Sequence, residues 1–228
     1  MKTLLIGSGR LARHLQFYFQ QKNILFTTWN RSQELSRLQN LASESSHILL
    51  AISDSALESF IHQNLNQDSF SEKKIVHFSG ALSIAGTFSA HPLMSFGPDL
   101  YLLQDYEKIH FVITGVKPLQ ELVPGITNHF TVISEKDKAL YHALCVMGGN
   151  FPILLWQKMS VGLKALGLPD EATKIYLEKI VENFNRQGHL ALTGPLARKD
   201  FTTIQSNLTA LSEDPFQKVY AAFVEAHK

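Results

Sequence analysis

The stretch LLIGSGRLARHL, residues 4–15, decides how the chain is read. Three apolar residues run straight into Gly7, Ser8, Gly9, Arg10, Leu11 and Ala12, and a helix-like pattern follows. A Gly-x-Gly-x-x-Ala turn binds a dinucleotide only where it joins a first strand to a helix inside a βαβ unit. In any other setting it is a tight turn. The residues on either side must supply that context.

They do so over the first half of the chain. Apolar runs at 2–6, 24–29, 47–52 (HILLAI), 75–78 and 109–114 (IHFVIT) read as strands. Between them, 11–21, 32–42 and 56–65 have helical spacing. Continuous Ile/Leu/Val runs separated by helices are what a parallel sheet buried on both faces requires. From residue 134 onward the strand pattern stops. SEKD opens a helix that should end near Met147 at Gly148 and Gly149, and a second helix restarts at Asn150-Phe151-Pro152. Further helices are expected from Pro169 to about 187, over 202–211 and over 215–226. The expected fold is therefore α/β: a doubly wound Rossmann domain with a mostly parallel sheet over 1–133, then an all-helical domain over 134–228.

Each position of the glycine turn then has a task. Gly7 permits the tight turn, Gly9 lets backbone approach a pyrophosphate, and Ala12 keeps the helix close to the sheet. The amides from Ser8 through Arg10 and Leu11 open the helix toward the anion. The end of the second strand selects the cofactor. An acidic residue there would hold the ribose 2′-hydroxyl of NAD, but the chain reads WNRS, with no carboxylate before Glu34. Arg31 is placed to pair a 2′-phosphate, with Asn30 and Ser32 adding hydrogen bonds, so the expected cofactor is NADP(H). After the third strand, AISDSAL brings Ser53 to the crevice, with Asp54 expected to cap the next helix. After the fourth, HFSGALS brings Ser79 and Gly80 to the place where a nicotinamide would lie.

Bulk properties exclude several classes. With 228 residues, 45% hydrophobic and 18% charged, this is the composition of a globular protein. The net charge of +1 and the absence of a basic block argue against a nucleic-acid partner. No uninterrupted apolar run reaches the roughly 20 residues of a membrane span, so no membrane partner is expected. The single cysteine, Cys145, cannot form an internal disulfide, is read as an inert thiol in a helix core, and fits a cytoplasmic setting. No His/Cys/Asp/Glu cluster has metal-ligand spacing, so no metal is expected.

LLIGSGRLA, WNRS and HFSGALS together resemble the NADP-binding domains of pyrroline-5-carboxylate reductases, of 6-phosphogluconate and β-hydroxyacid dehydrogenases, and of deazaflavin-dependent NADP reductases. GGNFPILLWQKMSVGLKALGLPDEA is similar to the start of the helical domain of pyrroline-5-carboxylate reductases. HFSGAL (77–82), HPLMSF (91–96) and TGPLARKD (193–200) more specifically resemble Rossmann-like proteins whose helical half is the domain of unknown function 2520. That resemblance implies an NADP oxidoreductase and names no substrate. The Gly-Gly-Thr-Thr segment of pyrroline-5-carboxylate reductases is absent: the comparable region, TGPLARKDFTTI, has Thr202 and Thr203 without a glycine pair. Proline biosynthesis is not implied. Lys158 and Lys164 lie on the helix that carries the acid–base lysine of β-hydroxyacid dehydrogenases, but outside a matching motif, and that role is not carried over.

A reductase of this class needs a proton source beside the hydride acceptor. His91, in a loop fixed by Pro92, is the expected donor, because its reference pKa lies near neutrality. Ser79 would position the ring or the substrate. Asn150 would present an amide or cap its helix. Arg198, in a loop next to Asp200, would anchor a substrate anion or form an ion pair with that carboxylate. His91, Asn150 and Arg198 are expected to converge on one cleft. Two readings follow: an NADPH-dependent reductase of a small carbonyl or imine substrate, or a non-catalytic NADP(H)-binding sensor or regulatory protein. The apolar positions between 151 and 168 cover more than one stripe of a helix. A homodimer through the helical domain is therefore expected.

Overall fold

The computed structural model describes residues 2–65, 70, 72–115 and 117–227. Its strands are β1 (Thr3–Ile6), β2 (Phe26–Trp29), β3 (His47–Leu50), β4 (Lys74–His77), β5 (Phe88–Pro92), β6 (Phe111–Thr114) and β7 (Phe130–Ile133). They form one sheet in the order β2-β1-β3-β4-β5-β6-β7. Every pairing is parallel except β5 with β6. Every residue of β1 (TLLI), β3 (HILL) and β6 (FVIT) is buried, as a sheet covered on both faces demands.

The helices are α1 (Arg10–Gln21), α2 (Leu35–Glu44), α3 (Asp54–Asn64), α4 (Leu103–Glu107), α5 (Leu119–Leu122), α6 (Lys138–Cys145), α7 (Phe151–Ala165), α8 (Asp170–Gln187), α9 (Gly194–Arg198), α10 (Phe201–Ala210) and α11 (Phe216–Ala226). Alternate strand residues point to opposite faces, which splits the core in two. On one face Leu5, Leu49, Val76 and Ile113 pack with Ala12, Leu15, Tyr18 and Phe19 of α1. On the other, Leu4, Ile6, Ile48, Leu50 and Ile75 pack with Leu38 and Ala42 of α2 and Leu57 and Ile61 of α3. Helices on both faces make the sheet doubly wound. Fully burying one such aliphatic side chain is worth about 1.5–3 kcal/mol, so these two layers dominate the stability of this half.

Strands β5 and β7 were not expected from the sequence. FSAHP carries two polar residues and a proline, and it is a strand because both neighbours pair with it: Ser89 lies opposite His77 on one side and Thr114 on the other. His91 is therefore on a strand and not in a loop. Strand β7 is a half-exposed edge and lacks a continuous buried run.

The chain divides into two compact units, Met1–Pro152 and Ile153–Lys228. The expected division at 133/134 differs because the start of α6 belongs with the sheet: Lys138 donates to the Leu82 carbonyl, and the Tyr141 hydroxyl meets His91. The break expected at Gly148 and Gly149 is also absent. One helical run covers Glu135–Ala165, with Val146–Asn150 as a π-helical turn. Both glycines keep helical backbone, so the turn absorbs an extra residue without ending the helix. Cys145 is half-buried, and its neighbour Leu144 is exposed, so the expected helix core around that thiol does not form within this chain. By length and composition the run 135–165 could cross a membrane, with a mean hydropathy of 1.3 over its most apolar window, none of which is buried. The short charged interruptions that break it as a continuous apolar run do not stop it from meeting that measure.

In the second unit α8, α10 and α11 are regular helices, yet only Ile204 and Thr173 are buried among its described residues. Lys158 pairs with Asp214 and its ammonium lies over the Phe216 ring. Lys164 pairs with Asp170.

Candidate active site

The sheet order places β2 and β3 on opposite sides of β1, so the chain reverses direction of winding at β1/β3. In open α/β sheets a crevice forms outside the carboxyl ends of the strands at such a point. Here it is a cleft of about 510 Å³ lined by Gly7, Ser8, Gly9, Arg10 and Leu11 after β1, Trp29, Asn30 and Arg31 after β2, and Ala51, Ile52 and Ser53 after β3. Phe60 of α3 contributes to one wall.

The glycine turn is shaped for an anion. Gly7 has φ of +137°, and a Cβ there would stand 2.2 Å from the Ala51 carbonyl oxygen. A Cβ on Gly9 would meet nothing within 4 Å, so the space over the turn is open. No side chain caps α1, which leaves its first-turn amides directed at that space. Ala12 is fully buried and keeps α1 against the sheet. These features fit a pyrophosphate.

Arg31 is exposed and makes no ion pair among the described residues. Its flanking residues build the turn that presents it. Asn30 Oδ1 accepts from the Ser32 amide at 3.0 Å and from the Ser32 hydroxyl at 2.6 Å, while Gln33 Oε1 accepts from the Asn30 amide at 3.1 Å. The Asn30 and Ser32 side chains are thus engaged with each other.

Ser53, and not Asp54, occupies the cap position of α3, and no side chain caps that end. Asp54 is instead the first helical residue, and its carboxylate accepts the Ser79 hydroxyl at 2.7 Å. Ser79 Oγ in turn accepts from the amides of Ala81 and Leu82 at 3.2 and 3.0 Å. This one buried hydroxyl fixes the turn after β4 and ties it to the end of the crevice.

Beyond Ser79 lies a cluster of titratable groups in the same unit. His91 Nδ1 is 2.6 Å from the Tyr141 hydroxyl. The rings of His91 and His142 stand edge to face, and a Cβ on Gly80 would come within 2.7 Å of His142 and 3.1 Å of His91. Gly80 is glycine because those two rings need its space. Lys138, 2% exposed, donates to the Leu82 carbonyl and has no carboxylate in ion-pair contact among the described residues. Burial lowers its pKa to about 8, with Asp54 and Glu135 opposing. Burial also lowers His91 to about 4, helped by the charges of His142 and Lys138. His77 falls to about 4 for the same reason, with Lys138 again contributing. The pKa of the Tyr141 hydroxyl is raised by burial and by the neighbouring Cys145 thiol. His91 is accordingly neutral at pH 7, contrary to the near-neutral titration expected of it.

The remaining sequence candidates are placed differently. Asn150 is exposed in the π-helical turn and, lying inside a continuous helix, caps nothing. Such turns often mark functional sites. Arg198 closes the short helix α9, so it is not in a loop. Asp200 caps α10: its carboxylate accepts the Thr203 amide at 3.0 Å and the Thr203 hydroxyl at 2.7 Å. Those bonds, more than Arg198, hold its pKa below the usual carboxylate range. The expected Arg198–Asp200 ion pair is not formed.

Lys138, Tyr141 and His77 were missed in the sequence. A signal existed: Lys138, Tyr141, His142 and Cys145 recur at the spacing of one helix face, which an apolar core helix would not fill with polar groups.

The fold and the crevice define a Rossmann-like α/β protein with a helical second part. More narrowly, the chain belongs to the family described as Domain of unknown function (DUF2520), whose model matches residues 109–227. A search of the curated proteins finds no match. Among solved structures, a Bacteroides fragilis protein named as a candidate NADP oxidoreductase is 18% identical, with 99% of this chain and 97% of that chain covered and a TM-score of 0.75. A Streptomyces aurantiacus imine reductase is 13% identical over 100% and 93% of the two chains, with a TM-score of 0.68. The Plasmodium falciparum pyrroline carboxylate reductase with NADP bound is 15% identical over 100% and 95%, with a TM-score of 0.61. At these identities the likeness is one of fold.

Proposed function

We propose that the chain is an NADP(H)-dependent reductase of a small carbonyl or imine compound. One observation carries this reading: the anion-shaped crevice ends at Ser53, and the next residue, Asp54, is bonded to Ser79 at the edge of the His91 cluster. The Asp54–Ser79 bond would tie the end of a cofactor crevice to a cluster able to handle protons. The full-length likeness to structures named as NADP oxidoreductases and imine reductases supports the same class.

The uncapped amides of α1 would hold the pyrophosphate, with Gly9 leaving it room. Arg31 would take the 2′-phosphate with a paired hydrogen bond, and the Asn30–Ser32 turn would keep the guanidinium in place. Bound NADPH would supply a hydride to a C=O or C=N carbon. Ser79, held by Asp54, would set the turn that meets the ring, and His91 would face the heteroatom that gains charge. A second reading, NADP(H) binding without turnover, has one observation in its favour: His91 is neutral at pH 7 and is not a cationic acid.

The second unit supports a homodimer. A unit with almost no buried core cannot be stable with its apolar helices in water. Val161 is 71% exposed and Phe201 65%. Lipid is a poor cover for it, because α8 carries Glu171, Lys174, Glu178, Lys179, Glu182 and Arg186 along its length. A second copy of the chain suits both its apolar and its charged faces.

Fluorescence titration should show NADPH binding, and NADPH absorbance should fall with some member of a panel of keto acids, aldehydes and imines. Binding without turnover across the panel favours the second reading. No binding at all overturns both.

A further inference from the structure

The His91 ring has a hydrogen bond at one edge and none at the other among the described residues. At Nδ1 it meets the Tyr141 hydroxyl at 2.6 Å. At Nε2 it has no hydrogen-bond partner among the described residues, and that edge lies over Gly80 at the carboxyl end of β4. Cys145 stands one turn further along α6 from Tyr141. A thiol is a weak acceptor, whereas the imine nitrogen of an imidazole is a strong one, so the phenol donates to His91.

We propose that Tyr141 is a positioning residue. By donating its O–H to His91 Nδ1 it keeps the imidazole in the neutral form with the proton on Nε2. His91 then offers an N–H beside Gly80 to the oxygen or nitrogen of a polarised C=O or C=N group. This rests on the reductase reading only for the identity of that group.

The surroundings agree from every side. The groups facing His91 are Tyr141, His142 and Lys138 on α6 and Asp54 on α3. Burial, His142 and the Lys138 ammonium all oppose a charged ring, and the Asp54 carboxylate, which favours one, accepts the Ser79 hydroxyl. A neutral imidazole whose pKa is depressed can polarise a carbonyl through its N–H without first being protonated, and such a donor is not lost as the pH rises above neutrality. The role assigned to His91 thus changes from an ammonium-like acid to a fixed hydrogen-bond donor.

The test needs neither substrate nor cofactor. Nitrogen-15 NMR of the full chain at pH 7 reports the tautomer of each histidine, and the His91→Gln variant identifies the His91 signals. The expected result is a neutral His91 almost wholly protonated at Nε2. In Tyr141→Phe the tautomer ratio should move toward Nδ1–H by about fivefold, the worth of one neutral hydrogen bond. A wild-type His91 protonated at Nδ1, or cationic at pH 7, overturns the proposal even if Tyr141→Phe cannot be made. An unchanged ratio in a folded Tyr141→Phe overturns it as well. NADPH titration of the same samples separates the two ideas: the expected tautomer without NADPH binding removes the reductase reading alone, and binding with the wrong tautomer removes this one alone.

Discussion

Gly7 and the Ala51 carbonyl are packed so closely that the turn after β1 has no room for a side chain: an added Cβ would stand 2.2 Å from that oxygen. The backbone there also has φ of +137°, which an L side chain rarely adopts. Gly9 is the opposite case, with φ of −73° and nothing in reach of a Cβ. The two glycines of one motif should therefore fail in different ways. Gly7→Ala should lower folding stability by several kcal/mol, at the upper end of ordinary substitutions. Gly9→Val should cost about 1 kcal/mol or less at a helix cap and yet abolish NADPH binding. Thermal melts with fluorescence titrations separate them. A Gly9→Val protein that binds NADPH normally would remove the crevice assignment.

Arg31 carries the choice between cofactors. A hydrogen-bonded charge pair is worth about 1.5–3 kcal/mol, so Arg31→Asp should weaken NADPH about 10- to 100-fold, with repulsion adding to the loss. NADH, which lacks the phosphate, should bind as before or better. Unchanged NADPH affinity in this variant would falsify the role of Arg31.

How far the sequence discloses this follows from the kind of force at each place. Strands β1, β3 and β6 are continuous apolar runs, and their burial on two faces is written in the residues themselves. The glycine turn is legible because backbone conformation limits which residues fit. Strand β5 is hidden because its residues have no strong preference, and its pairing with β4 and β6 is decided by the sheet around it. The Asp54–Ser79 bond and the meeting of His91 with Tyr141 join residues distant in the chain, and no local pattern encodes that approach. The neutral state of His91 is a property of its burial, so residue type alone pointed the other way.

The helical unit gives the next expectation. Light scattering at micromolar concentration should report a dimer. Leu154 and Val161 of α7 are exposed apolar residues, and a charge placed there would be buried on association. Leu154→Glu with Val161→Glu should shift the chain toward monomer and leave the crevice of the first unit intact. A wild-type monomer under these conditions ends the dimer proposal.

Acid should destabilise the protein well before its carboxylates titrate. In the folded chain His77 and His91 have pKa values of about 4, against 6.5 when free in the unfolded chain. Between those values the unfolded chain binds more protons than the folded one, so stability falls as the pH drops from 6.5 toward 4. A depression of this size is worth about 3 kcal/mol for each histidine below pH 4, an order-of-magnitude figure. Lys138 should act with the same sign at the alkaline end. Its pKa is about 8 folded against 10.5 free, so the cost of burying its charge is relieved as the pH rises through that interval. Urea unfolding at pH 7, 5.5 and 4.5, chosen to span the lower interval, should show a steep loss. His77→Gln and His91→Gln should each flatten it by roughly half. If stability stays level from pH 6.5 to 4, both histidines are charged or exposed in the folded chain. The hydrogen-bond donor beside Gly80 would then have to be sought elsewhere in the cluster.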